Sequence, residues 1–378
     1  MSDNKSVLME AYQRFHKTGP EWGGHHLSNH GPMAVEAMIR HGHTDSVHRW
    51  IDNYEKRLED QPRGFAPVTE NDWREALGDL KRVADWTILF QHEVAERPWR
   101  EVLATWWPRL VPGIVGGTAH AAIRVGHVVH ALMAAEADPD SGLVGSTDNP
   151  YVVELADALG YWAASWTPVA GDPSRRSGTL RPADALAAVP TVADQQKGVP
   201  YRIAQLPTTE GWQSALGSLR AADDPEQVPT LLSQLIDASV LWYLSYGHGH
   251  PVMLVHASTA PTAVLRTLPA LPRELWVPGL DAVWQTTAAL TAACTPPDAA
   301  DRVDLAVHIN GVSTTEDTMA MAVDQGDEHV IKFADAALDA FTRTGDQDTL
   351  AAASRCTELI TLKEAEGRAR FDGRTPAK

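Results

Sequence analysis

Asp327-Glu328-His329-Val330-Ile331-Lys332-Phe333-Ala334-Asp335-Ala336-Ala337-Leu338-Asp339-Ala340-Phe341-Thr342-Arg343 reads as one helix from start to stop. Asp327 and Glu328 suit the positive end of a helix macrodipole. Gly345, just past Arg343, supplies a helix stop. His329 and Lys332 are three residues apart, so they are neighbours on one face. Taken alone, this is also what an ordinary acidic first turn with an exposed His and Lys looks like.

The same periodicity recurs outward in both directions. Helices are expected over Pro32–Arg40, Asn71–Phe90, Glu101–Leu110, Ile114–Ala135, Val152–Trp166, Pro229–Tyr246, Leu280–Ala293 and Asp346–Glu366. In Asn71–Phe90 the residues Trp73, Leu77, Leu80, Ala84 and Ile88 form one apolar stripe that faces a core. Alternating runs of strand length are scarce, and no Asn-Gly or Asp-Gly hairpin joins two β-branched runs. The expected fold is mostly α: a compact multi-helix single domain over 1–378 with a buried metal site. Gly171–Pro200, rich in Pro, Gly and charge, reads as a lid or insertion near a substrate mouth, with Leu180, Leu186, Val189 and Val192 for apolar contacts. The charged tail, 364–378, is expected to be flexible.

Composition removes several function classes. The chain of 378 residues has 32 basic and 49 acidic residues, a formal charge of −17. Phosphate backbones and anionic membranes call for the opposite sign, so neither nucleic acid nor a membrane is an expected partner. Cys294 and Cys356 are the sole cysteines, too few for a disulfide scaffold or a Cys-rich metal site. The start lacks an apolar signal-peptide core, and a cytoplasmic location is expected. Ala238–Leu265 carries no charged residue, yet its His, Pro and Gly content marks it as buried in protein rather than lipid. The chain holds 16 His and 13 Trp, which directs any metal chemistry towards imidazole.

The histidines cluster in four places. His30 stands just before the Pro32 helix, with His25 and His26 close by. His120, His127 and His130 recur at offsets 0, 7 and 10 on nearly one face of an apolar helix. A buried imidazole there needs a metal, a carboxylate or a carbonyl. Arg124 is the one charge between Pro112 and Ala135, suited to an anionic group or an acid partner. His248, His250 and His256 fall within nine residues, the first two in a helix-breaking loop. His329 and Lys332 complete the set. For each, the plainer reading is a satisfied core or surface histidine. The clusters Trp99, Trp106, Trp107 and Trp162, Trp166 can stack a planar ligand or pack a core. No Glu-x-x-His pair, GxGxxG or Walker loop occurs.

Four elements in order carry a resemblance: Asn29-His30-Gly31-Pro32, Gly117-x-x-His120-x-x-Ile123-Arg124, Met253-Leu254-Val255-His256 and Asp327-x-His329-Val330-Ile331-Lys332. From about residue 8 to about 360 the chain resembles the questin oxidase-like family, associated with oxidative opening of anthraquinone rings in polyketide pathways. The resemblance implies a helical non-haem Fe(II) oxygenase acting with dioxygen on an aromatic polyketide. It implies metal ligation by His30, His120, His256 and His329, with zinc a stand-in for iron in recombinant protein. Lys332 matches the family's recurring lysine. No matched ligand position is a carboxylate, and a carbamylated Lys332 would supply the missing anionic oxygen. Lys332, His127 and Arg124 are the expected catalytic side chains, with His127 or His130 moving a proton. The rivals are an NADPH- or flavin-assisted Baeyer–Villiger monooxygenase and a non-catalytic helical binder of aromatic ligands.

Overall fold

The computed structural model describes residues 2–21, 28–138, 149–173, 178–311 and 314–371. His25, His26 and the Asp140–Ser146 stretch lie outside them. The fold is mostly α. Among the described residues one small sheet occurs, pairing Thr18–Glu21 antiparallel with Leu58–Asp60. Gly19 permits this pairing, because a Cβ there would lie 2.4 Å from the Asp60 carbonyl oxygen. The sheet fixes Glu21 at the edge of the functional centre described below.

The Glu328–Thr344 helix is the axis of the molecule. Asp327 caps it by accepting from the His329 N–H at 2.7 Å. Gly345 ends it with φ +69, a left-handed conformation that glycine adopts without a Cβ penalty. Phe333, Ile331, Ala336 and Ala337 on it are fully buried. Around it pack Gly31–Arg40, Val228–Tyr246, His256–Thr267, Thr315–Gln325 and Gln347–Phe371. A helix wrapped on every side buries polar positions too, which is why Lys332 and Asp335 are inside rather than in water.

Two other helices meet at close range. Gly126 on His120–Glu136 lies against Ala263 on His256–Thr267, where a Cβ would come within 2.5 Å of the Ala263 Cα. Pro261 interrupts the second helix and has no N–H for the Ala257 carbonyl. The Thr287 hydroxyl donates to that carbonyl instead, at 3.3 Å. This contact brings the first residues of the two helices, His120 and His256, side by side.

Two expected helices need correction. Asn71–Phe90 is not continuous: Trp73–Ala76 is a short turn, and the long helix is Val83–Glu96. Leu77 is extended and Gly78 has φ +80, with its N–H donating to Ala163 O at 2.9 Å. The expected stripe therefore breaks. Ile88 is 54% exposed, while Trp86 and Phe90 are fully buried. The expected Ile114–Ala135 helix begins only at His120, after three successive residues in left-handed conformation.

Gly171–Pro200 contains a short helix, Pro182–Ala187, packed on Val228–Tyr246. Leu186, Val189 and Val192 are buried with Leu206, Trp212 and Trp284 in an apolar cluster of their own. Leu180 is exposed. The last helix continues to Phe371, through the first part of the tail expected to be flexible. The uncharged Ala238–Leu265 stretch is divided between two helices by turns at Gly247–Gly249 and Pro251–Leu254. Among the described residues no helix is long and apolar enough to cross a membrane. The tryptophans read as a ligand platform are core: Trp106 packs edge-on against Trp73, Trp86 and Phe90, and Trp107 against Trp162.

Candidate metal centre

His30, His120, His256 and His329 come from four separate segments and lie together in the interior. Ring centroids are 4.4 Å apart for His30–His120, 4.3 Å for His120–His256, 4.9 Å for His30–His329 and 5.2 Å for His256–His329. His30 caps Gly31–Arg40, His120 opens His120–Glu136, His256 follows the break at Val255, and His329 is in the first turn of Glu328–Thr344. Ligand atoms of His30, His120 and His329 all fall within 4.8 Å of one another. His256 joins through His120, Nε2 to Nε2, at 2.9 Å.

The outer nitrogens settle the tautomers. Each Nδ1 faces an acceptor: Glu21 Oε1 at 2.7 Å for His30, the Gly117 carbonyl for His120, the Met253 carbonyl at 3.2 Å for His256 and Asp327 Oδ1 at 3.1 Å for His329. Carbonyls and carboxylates offer no proton, so Nδ1 must donate and Nε2 presents its lone pair inward. Burial lowers the pKa of His30, His120 and His256 well below the ordinary value, which keeps these rings neutral. Nε2 of His30 and of His329 has no hydrogen-bond partner among the described residues. At 2.9 Å the lone pairs of His120 and His256 repel unless a cation lies between them. Outer acceptors that fix each imidazole are how proteins prepare histidines for a metal. His30, His120 and His329 form one group that could hold a metal ion, and Glu21, Asp327 and Glu328 form two more with His30 and His329.

Backbone strain aims His120. Gly117, Thr118 and Ala119 have φ +55, +59 and +64. For L-residues this conformation costs roughly 1–2 kcal/mol each. It turns the Gly117 carbonyl back onto His120 Nδ1. Gly117 also avoids Tyr161, whose hydroxyl would lie 2.9 Å from a Cβ there.

Lys332 is 0% exposed, and its Nζ has no hydrogen-bond partner among the described residues. Burial lowers its pKa to about 8, against the upward pull of Glu328, Asp327 and Glu21. Those acids are held from outside. Arg57 reaches Glu328 through Nη1 and Nη2, both at 2.9 Å, and Glu21 Oε2 at 3.3 Å. The Tyr54 hydroxyl donates to Glu21 Oε1 at 2.7 Å and accepts from the His30 N–H. Glu21, Tyr54 and Arg57 escape sequence reading because neither the short strand Thr18–Glu21 nor the Val47–Tyr54 helix and the Glu55–Arg57 turn after it carries a recognisable motif.

The structure does not bring every expected side chain here. His127 and His130, two turns or more along from His120, both turn Nδ1 to Glu36, at 2.7 and 2.8 Å. Arg124 is paired with buried Glu154, Nη2 to Oε2 at 2.7 Å. His248 lies in the Gly247–Gly249 turn, and His250 caps the following helix. Neither is among the groups of potential ligands. In comparison with known proteins, the chain matches no family model and no curated protein.

Proposed function

We propose that the chain is a non-haem iron-dependent oxygenase acting with dioxygen on an aromatic polyketide, in the manner of the questin oxidase-like proteins it resembles. The observation that carries the reading is the convergence of His30, His120 and His329, with His256 against His120, each with its Nδ1 tied outward, beside a buried amine that has no hydrogen-bond partner among the described residues. Imidazole donors suit iron, zinc, copper and nickel alike, and iron is chosen through the resemblance. When bound, iron(II) supplies the open-shell centre that lets dioxygen react with a closed-shell ring.

His30, His120, His256 and His329 would hold the ion, and Glu21 and Asp327 would fix two of their rings through Nδ1. Lys332 would add the anionic donor. Its neutral amine attacks carbon dioxide, an N–C bond forms, and one nitrogen proton leaves to solvent or a nearby carboxylate. The resulting carbamate carries two oxygens and one negative charge. Glu21, Asp327 and Glu328 make three negative charges against one on Arg57, so the carbamate is stable only with a divalent cation beside it. Charge balance thus ties modification to metal loading. The buried walls exclude water from the centre.

The test is elemental analysis of protein loaded anaerobically with iron(II), joined to 13C NMR in 13C-bicarbonate. One iron per chain and a carbamate resonance absent from Lys332→Arg are expected. Metal-free protein that nonetheless binds an aromatic ligand would replace the oxygenase with a helical binder. Full activity in Lys332→Arg would remove the carbamate.

A further inference from the structure

A cavity of about 220 Å³ lies beside the centre without including any of its imidazoles. Its walls are apolar: Phe15, Pro20, Pro62, Leu80, Val83 and Ile88 line them. Gln61 and Pro62 line it at one side, and the chain just after them is tied down. The Phe65 and Ala66 N–H groups donate to Asp85 Oδ1 at 2.8 and 3.1 Å, and Arg82 Nη2 holds the Ala66 carbonyl at 2.7 Å. The inner end is polar and adjoins the metal centre through its backbone. Asn29 precedes His30, and Tyr161 lies under Gly117, the residue that anchors His120.

The floor is charge-balanced. Arg124 is paired with Glu154 through Nε and Nη2, and His16 Nδ1 faces Asp157 Oδ2 at 2.8 Å. Gln91 fills the other Asp157 oxygen at 3.2 Å. The hydrogen bond that His16 donates to Asp157 raises the His16 pKa. With His16 protonated the four groups sum to zero, and with it neutral to minus one. No surplus positive charge awaits an anion. One guanidinium nitrogen is left over by this pair: Nη1 does not bond Glu154, on a side chain that lines the cavity.

We propose that this cavity binds a neutral, flat bicyclic ligand whose carbonyl or phenolic oxygen accepts from Arg124 Nη1. Its volume falls below the roughly 300–1,000 Å³ of drug-sized pockets, which limits the occupant to a small fused-ring molecule. The apolar walls take the ring faces, and the balanced floor rejects a carboxylate, which would be desolvated without a matching charge. Arg124 is thereby a specificity-determining residue, not a metal partner. That the ligand is the substrate rests on the oxygenase reading; that it binds here does not.

The experiment titrates the full chain, iron-loaded and chelator-treated, with 2-naphthol, 2-naphthoate and naphthalene by calorimetry. Saturable one-to-one binding of 2-naphthol is expected in both forms, with 2-naphthoate weaker by about tenfold or more. Arg124→Lys keeps a cation for Glu154 but removes the fork. It should weaken 2-naphthol by about tenfold and leave naphthalene unchanged. Val83→Trp and Leu80→Trp, at half-buried wall positions, should each abolish binding of all three while the circular dichroism spectrum is retained. Equal affinity for naphthol and naphthoate overturns the charge selection. Absence of naphthol binding, or binding untouched by both folded tryptophan variants, overturns the site. Loss of iron with naphthol binding intact would instead count against the oxygenase alone.

Discussion

One helix, His120–Glu136, carries histidines into two buried polar regions, and the two are built on opposite principles. At its start His120 joins three other imidazoles whose inner nitrogens face one another without acceptors. Further along, His127 and His130 share the two oxygens of Glu36, and next to them Arg40, His41 and Arg266 gather on Asp335 and Asp339. The second region is closed: each of its carboxylates is met by a histidine or an arginine. The first is open, with Nε2 of His30 and of His329 and the Lys332 amine lacking hydrogen-bond partners among the described residues. Burial of histidine is therefore not the sign of a ligand. The sign is which nitrogen is occupied, and by what.

Exchange of function between these regions is the most forceful way to break that contrast. His120→Ala should reduce bound metal from one per chain to near zero at micromolar protein. The loss should exceed the roughly 10–100-fold in affinity that removal of an outer partner costs. His127→Ala should leave metal content unchanged. Equal loss in the two, measured by elemental analysis after dialysis, would erase the distinction.

The closed region should answer in stability instead. Asp335→Ala leaves Arg40 and Arg266, the latter paired with it at 2.8 Å, to share Asp339, and should cost about 3–5 kcal/mol in denaturant unfolding. Acid acts on the same region. Burial alone would raise the Glu36 pKa, but hydrogen bonds from His127 and His130 hold it well below the usual range. A lowered folded-state pKa gives stability that is present above about pH 4 and lost as pH falls through the lowered value. In metal-free protein Glu36→Gln should flatten that acid limb of the melting temperature. An unchanged limb would assign acid unfolding elsewhere.

This contrast also shows what sequence can carry. Long helices were legible because apolar spacing survives burial, as in Glu328–Thr344 with its Asp327 cap and Gly345 stop. Where the chain turns against a neighbour, spacing misled. Gly78 breaks the Trp73–Phe90 pattern to meet Ala163, a contact no local window contains. His120, His127 and His130 on one helical face looked alike, because sequence gives direction around an axis but not what waits there. Glu36, 91 positions from His127, and Glu21, nine from His30, decide the outcome. The four imidazoles came to notice through a resemblance in residue order, and their tautomers could come only from coordinates.

Lys332 sharpens the comparison at intermediate magnitude. In the closed region a buried charge is balanced, whereas Lys332 Nζ is buried without a hydrogen-bond partner among the described residues. Its lowered pKa shows that burial outweighs attraction by Glu328, Asp327 and Glu21. Lys332→Met preserves length and removes the amine. The metal-free variant should be more stable than the parent by about 1–3 kcal/mol, the cost of an unsatisfied buried group. It should also fail to turn over. A stability loss would mean that Nζ is better satisfied than its surroundings imply.

The smallest expected effect concerns the strained turn that aims His120. Thr118 is β-branched and half-buried, yet has φ +59. Thr118→Gly relieves a conformation that costs an L-residue roughly 1–2 kcal/mol. Against this, glycine enlarges the unfolded ensemble, which costs about 0.4–1 kcal/mol. The net gain in metal-free stability should be about 0.5–1 kcal/mol. Gly117→Ala should go the other way, since its φ is +55 and its Cβ would meet the Tyr161 hydroxyl at 2.9 Å. The paired variants separate strain from function. If the turn serves to hold the Gly117 carbonyl on His120 Nδ1, Thr118→Gly should gain stability and lose metal affinity, because the carbonyl becomes free to wander. A variant that gains stability and keeps its affinity would show that His120 is held by the close Gly126–Ala263 contact alone, and that the strained turn only closes the path between helices.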